Sequence, residues 1–190
     1  MVRGNKYTIL AMAVGITALV VAGCLPQPSV EPTPPIPPET RTFHATMDGD
    51  LEGINTEATG EAEFTVSEDG TEIHYILSVS NLLNVNQAHI HLLPVPGPVV
   101  AWLYPDAPPP VLIEGVSDGI LAVGTIRAAD LMGPLSGGTI ADLAAAMEQG
   151  NTYVNVHTEE YPAGEIGGII GNGDELLPPA NGMPPANGIY

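Results

Sequence analysis

Two stretches carry the residues whose types and spacing could do chemistry. Ala88-His89-Ile90-His91-Leu92 places two imidazoles two positions apart. In an extended strand alternate side chains share a face, so His89 and His91 point the same way, roughly 6.5–7 Å apart along the backbone. Ala88, Ile90 and Leu92 then turn toward the other side. Far downstream, Tyr153-Val154-Asn155-Val156-His157-Thr158 puts Tyr153, Asn155 and His157 on one face and two valines on the other. With the valines in a core, His157 faces outward, as His89 and His91 do. Glu165 lies across a hairpin from His157. If these strands adjoin, His89, His91, His157 and Glu165 form a four-residue candidate cluster. Neutral imidazole is a ligand for zinc, copper, nickel or iron, and three histidines with or without a carboxylate make a recognised metal shell. Glu165 could instead orient a ligand imidazole from behind. The same residues could equally form a metal-free polar network that ties loops to the fold. Both readings stay open; zinc and copper are the cofactors the donor set suits.

Other chemistry has little support. The chain holds no Gly-x-Ser-x-Gly elbow and no nucleotide loop. Glu159 and Glu160 are adjacent, so on a strand they diverge rather than form an acid/base pair. His44 and His74 fall on the polar faces of alternating runs and read as surface residues. Trp102 and Tyr104, set among prolines, read as packing residues. The net charge of −18 comes from 22 acids against four basic residues. Nucleic acid is excluded as a partner, because nothing here could neutralise phosphates.

The single cysteine rules out an intrachain disulfide, and its position gives it another use. Arg3 and Lys6 precede an apolar run from Ile9 to Ala22, the length of a signal-peptide core and short for a membrane span. The run ends in Val21-Ala22-Gly23-Cys24, which resembles a lipobox. That resemblance implies cleavage before Cys24 and a diacylglycerol on its sulfur, anchoring the mature chain to membrane lipid at the outer face of a cell membrane. Without residues 1–23, two arginines face the same 22 acids, a net charge of about −20. Residues 24–40 are proline-rich and read as an extended spacer. Residues 173–190, with two copies of Pro-Pro-Ala-Asn-Gly, read as a disordered tail.

Residues 41–172 between them read as one folded domain. Phe43, Ala45 and Met47 alternate with polar neighbours. So do Ala62, Phe64 and Val66, then Ile73, Tyr75, Leu77 and Val79, around the turn residues Ser67-Glu68-Asp69-Gly70. Further strands are expected at Gln87–Leu93, Val99–Tyr104, Gly119–Ile126, Thr152–His157 and Glu165–Ile170. One helix is expected over 139–149, capped by Thr139 and ended by Gly150, with a turn near 128–131 before it. Many short strands with turn signals predict an all-β, antiparallel, Greek-key-like sandwich.

In combination and in order, Ala58-Thr59-Gly60, Ala88-His89-Ile90-His91, Tyr153–Thr158, Pro162 and Gly164-Glu165-Ile166-Gly167-Gly168 resemble the CHRD domain, named for chordin. The resemblance spans roughly 42–170. It departs at Gly167, where that family usually carries arginine. It implies a β-sandwich of extracellular or cell-surface proteins and says little about activity. The histidine pattern is also loosely similar to copper/zinc superoxide dismutase, an analogy of fold that leaves a redox metalloenzyme as the alternative. The leading expectation is a surface-exposed, lipid-anchored binding or structural module, with an envelope or extracellular protein as a further partner.

Overall fold

The alternation of small or apolar residues with acids builds the first hairpin. Strand β1 (Thr42–Met47) pairs antiparallel with β2 (Thr59–Val66), whose Gly60, Ala62, Phe64 and Val66 are buried while Thr59, Glu61 and Glu63 face outward. In the computed structural model of the chain, residues 41–172 are described. The leader, Cys24, the proline-rich segment and the tail lie outside the described residues. After the Ser67–Gly70 turn, β3 (Glu72–Leu83) returns along β2. It runs four residues beyond the expected end at Val79, through an irregular stretch where Asn81 and Asn84 take positive φ angles. Asparagine tolerates that conformation better than most residues.

The remaining strands are β4 (Val85–Leu92), β5 (Val99–Tyr104), β6 (Val116–Arg127), β7 (Thr152–Thr158) and β8 (Ile166–Asn172). All pairings are antiparallel, in the order β5-β4-β7-β8-β1-β2-β3-β6. Strands β5, β4, β7 and β8 make one half of the sheet and β1, β2, β3 and β6 the other, and both halves contribute to one core. Phe43, Phe64 and Leu77 from one half meet Ile90, Val154 and Ile166 from the other. The fold is therefore the expected all-β antiparallel architecture. The helix α1 (Ile140–Glu148) completes it. Thr139 accepts the Asp142 amide proton while the Asp142 carboxylate accepts from the Thr139 amide, a reciprocal cap that fixes the start. Ile140, Leu143, Ala144 and Met147 form its buried stripe. The expected turn near 128–131 is a 3-10 turn over Ala128–Asp130.

One hydrogen bond links edge strand β5 to β3, the neighbour of the opposite edge strand β6. Buried Tyr75 of β3 donates its hydroxyl to the Leu103 carbonyl of β5 at 2.8 Å. Gly124 lies opposite Tyr75 in register, and a Cβ there would collide with the phenol ring. The glycine thus leaves room for the ring to lie across β6. Tyr75→Phe removes a buried hydrogen bond and strands a carbonyl, so we expect a loss of about 1–2 kcal/mol. Urea unfolding with an unchanged m value would read it. A loss below about 0.5 kcal/mol would mean the bridge contributes little to closure.

Candidate functional site

The pairing of β4 with β7 decides which side chains meet. His89 lies opposite Asn155 and His91 opposite Tyr153, while His157 lies opposite Gln87, one diagonal step from His89. One sheet face therefore carries His89, His91, Tyr153, Asn155 and His157 side by side. The opposite face carries Ala88, Ile90, Val154 and Val156, all in the core. One ring nitrogen from each of His89, His91 and His157 lies within 4.8 Å of the other two.

This face was expected to look outward into solvent. Instead His89, His91 and His157 are only 4%, 7% and 5% exposed. Loops and a neighbouring strand roof it over. Trp102 of β5 sets its ring edge-on to His89, with centroids 4.3 Å apart. The loop after β4 brings in Gly97, whose amide donates to the Tyr153 hydroxyl at 2.9 Å. Any Cβ at Gly97 would strike the Leu92 carbonyl, so the close pass of this loop requires glycine. The loop after β7 brings the Pro162 carbonyl, and the loop between β1 and β2 brings Glu52.

The carbonyls fix the tautomers, because a carbonyl can only accept. His91 donates Nδ1–H to Gly97 O at 2.8 Å, and His157 donates Nδ1–H to Pro162 O at 3.0 Å. In the neutral rings, both Nε2 atoms then present bare lone pairs inward. His89 Nδ1 lies 3.1 Å from His157 Nε2. Asn155 Oδ1 lies 3.0 Å from both His91 Nε2 and His157 Nε2. Its Nδ2 is committed outward, donating to Glu52 Oε1 at 3.2 Å. Three lone-pair atoms from His91, His157 and Asn155 thus converge. His89 Nε2 is buried without a hydrogen-bond partner.

Protons are poorly placed to relieve this crowding. Burial pushes His89 down to about 3 and His157 down to about 4, and lowers His91 too, with the other imidazoles adding repulsion at His89 and His157. Burial raises the Glu52 carboxyl, against the lowering effect of the Asn155 bond.

Glu165 does not join the imidazoles, although it is buried. Its Oε2 accepts from the Thr158 hydroxyl at 2.8 Å and its Oε1 from the Thr56 hydroxyl at 2.9 Å. Thr158 alternates with His157 and so lies on the other side of β7. Gly164, just before Glu165, has a φ of 127°, and the carboxylate is held by the two threonine hydroxyls. His44 and His74 are exposed, as expected. Asn155 was legible as a member of the histidine face but had no assigned role. Glu52 was missed, for it sits in an acidic, glycine-containing loop that reads as solvated.

The depressed imidazoles fix the sign of a pH dependence. A histidine whose folded value lies below its unfolded value near 6.5 holds fewer protons folded than unfolded. Its contribution is fully present above about pH 6.5 and is lost as pH falls toward the folded values near 4 and 3. For protein stripped of metal, we expect urea stability to fall steeply between about pH 6.5 and 4. Each such histidine costs about 1.4 kcal/mol for every pH unit crossed in that window. The His157→Gln variant should show a shallower fall. An equal slope in both proteins would contradict the burial of His157.

The sequence matches the model of the CHRD domain over residues 43–170, from the second residue of β1 to within two residues of the end of β8. No curated protein and no solved structure matches the chain. The matched span takes in all eight strands and the whole histidine face, and the chain belongs to the CHRD domain family.

Proposed function

We propose that this CHRD domain is a metal-binding module carried on a lipid-anchored, cell-surface protein. Membership of the family supports a binding or structural module. The metal reading is carried by one observation: three buried imidazoles converge, with the inner Nε2 atoms of His91 and His157 bare and His89 Nδ1 3.1 Å from His157 Nε2. Two of the outer N–H groups are donated to backbone carbonyls. That outer arrangement is the usual support for a metal-ligating histidine, fixing tautomer and ring orientation. A tetrahedral shell with bonds of 2.0–2.1 Å has donor–donor edges of about 3.3 Å. Three of the six edges, at 3.0, 3.0 and 3.1 Å among Asn155, His91, His157 and His89, lie close to that spacing, and the three ring nitrogens, within 4.8 Å of one another, would draw together on an ion. His89, His91 and His157 would hold the cation, and zinc or copper suits three imidazoles. A bound dication would supply the positive charge toward which the lone pairs are aimed.

The alternative is a dismutase-like redox enzyme. Substrate would have to reach the ion through a roof that leaves the three rings 4–7% exposed, which favours binding over turnover. The lipid anchor rests on Cys24 and its preceding Val21-Ala22-Gly23. An exported chain at net charge about −20 would also concentrate cations near its surface.

Two measurements test the proposal. Protein stripped by chelation and titrated with Zn²⁺ or Cu²⁺ should take up one equivalent, and unfolding should become harder by about 2.7 kcal/mol at a hundredfold excess over Kd. His157→Ala should abolish uptake, whereas His74→Ala should leave it unchanged. Absence of uptake by the unmutated protein would end the metal reading. Separately, Cys24→Ser should release the protein from membranes in cell fractionation, and retention at the unmutated level would end the lipoprotein reading.

A further inference from the structure

We infer that Asn155 Oδ1 is the fourth donor of the metal site and that Glu52 is the positioning residue that keeps this oxygen turned inward, giving a closed three-nitrogen, one-oxygen shell. This rests on the metal reading above and goes further by assigning the fourth position.

An asparagine side chain offers one oxygen and one NH₂, and which end faces the imidazoles depends on what holds the other. Asn155 is 1% exposed, so water does not hold it. Glu52 does: its Oε1 accepts from Asn155 Nδ2 at 3.2 Å. An ionised carboxylate has no proton to donate, so it selects the NH₂ and commits Oδ1 to the triad.

Glu52 reaches this position through a cradle of two glycines. A Cβ on Gly164 would come within 2.9 Å of Glu52 Cδ, and one on Gly167 within 2.9 Å of Glu52 Oε1. The carboxylate thus fills the space where either side chain would begin. The loop that delivers it is pinned near both ends. Asp48 and Gly167 exchange backbone hydrogen bonds at 2.9 and 3.3 Å, and the Thr56 hydroxyl donates to Glu165 at 2.9 Å. Glu165 therefore acts on the site through the loop, and Glu52 acts through Asn155. With the fourth position taken by a side chain, no coordination position remains for solvent or substrate.

The test uses the full chain, stripped of metal and titrated with Zn²⁺ against a competing chelator, with Co²⁺ as the spectroscopic probe. E52L and N155L should each weaken Zn²⁺ at least about 10-fold, the scale of losses when a ligand's supporting partner is removed. Azide should leave the Co²⁺ spectrum of the unmutated protein unchanged and perturb it in both variants, since an opened shell admits an external anion. E52Q retains an oxygen that can accept from Asn155 and should recover part of the affinity. G167A keeps the carboxylate but pushes it aside, so it should behave like E52L; this pair also carries the test if E52L does not fold. Unmutated Zn²⁺ affinity and azide insensitivity in E52L and N155L would overturn the fourth-donor assignment while leaving the three histidines standing. Azide sensitivity in the unmutated protein would overturn the closed shell. Failure of the unmutated protein to bind either Zn²⁺ or Co²⁺ would instead overturn the metal reading, and this assignment with it.

Discussion

The register of β4 against β7 is the constraint on which the rest depends. Because side chains alternate strictly along a strand, a slip of one residue would send His89 and His91 into the core and expel Ala88 and Ile90. Ile90 and Val154 pair directly and are both fully buried, so the apolar face sets the register. Burying each such side chain is worth about 1.5–3 kcal/mol, far more than the polar contacts on the other face could supply. The histidine site is thus positioned by the hydrophobic core behind it. The Tyr75 bond from β3 to β5 and the helix capped at Thr139 maintain that core, and with it the register.

On the outer face the dominant effect is electrostatic. Burying three imidazoles and an amide costs free energy unless their polar atoms are matched. The outer atoms of His91, His157 and Asn155 are matched, by Gly97 O, Pro162 O and Glu52, while His89 Nε2 has no partner. Among the inner ones, Asn155 Oδ1 meets His91 Nε2 and His157 Nε2 acceptor to acceptor, while His89 Nδ1 with its proton donates to His157 Nε2. Turning the Asn155 amide around would let its NH₂ serve both Nε2 atoms, but would set its oxygen against the Glu52 carboxylate. The mismatch then moves outward without vanishing unless Glu52 takes up a proton. Under the proposed metal reading, a cation at the centre would take the inner lone pairs of His91, His157 and Asn155 together and leave their outer bonds intact.

Much of the fold was legible because it depends on local periodicity. Alternation marked most strands, and Thr139, Asp142 and Gly150 marked the helix. The shared face of His89 and His91 followed from the same two-residue period. Burial of that face was not legible, since it depends on how the loops after β4 and β7 fold back and on Glu52, 103 residues from Asn155 in sequence. Glu165 was placed beside His157 from its position across a hairpin, but its carboxylate instead accepts from the Thr56 and Thr158 hydroxyls. Glu52 was hidden among Asp48, Asp50 and two glycines, Gly49 and Gly53, a composition typical of solvated turns. A signal did exist at Gly167, the departure from the family pattern. A glycine amid buried neighbours implies that something else approaches the backbone, and that something is the Glu52 carboxylate.

A buried cation site has a particular value in this chain. The single cysteine lies outside the folded domain, so no disulfide constrains the unfolded state. The many acids keep the surface soluble but repel one another in the compact state. A ligand that binds only the folded form stabilises it by mass action, and here the strands that carry the imidazoles, β4 and β7, are central in their half of the sheet. A cation bridging His89 and His91 to Asn155 and His157 would cross-link those two strands at the point where their register is set. It would also draw down the loops that carry Gly97, Pro162 and Glu52, because each loop holds a partner of a ligand. Binding at one buried point would thereby order three surface loops, and a surface whose loops are ordered together is what a binding module requires.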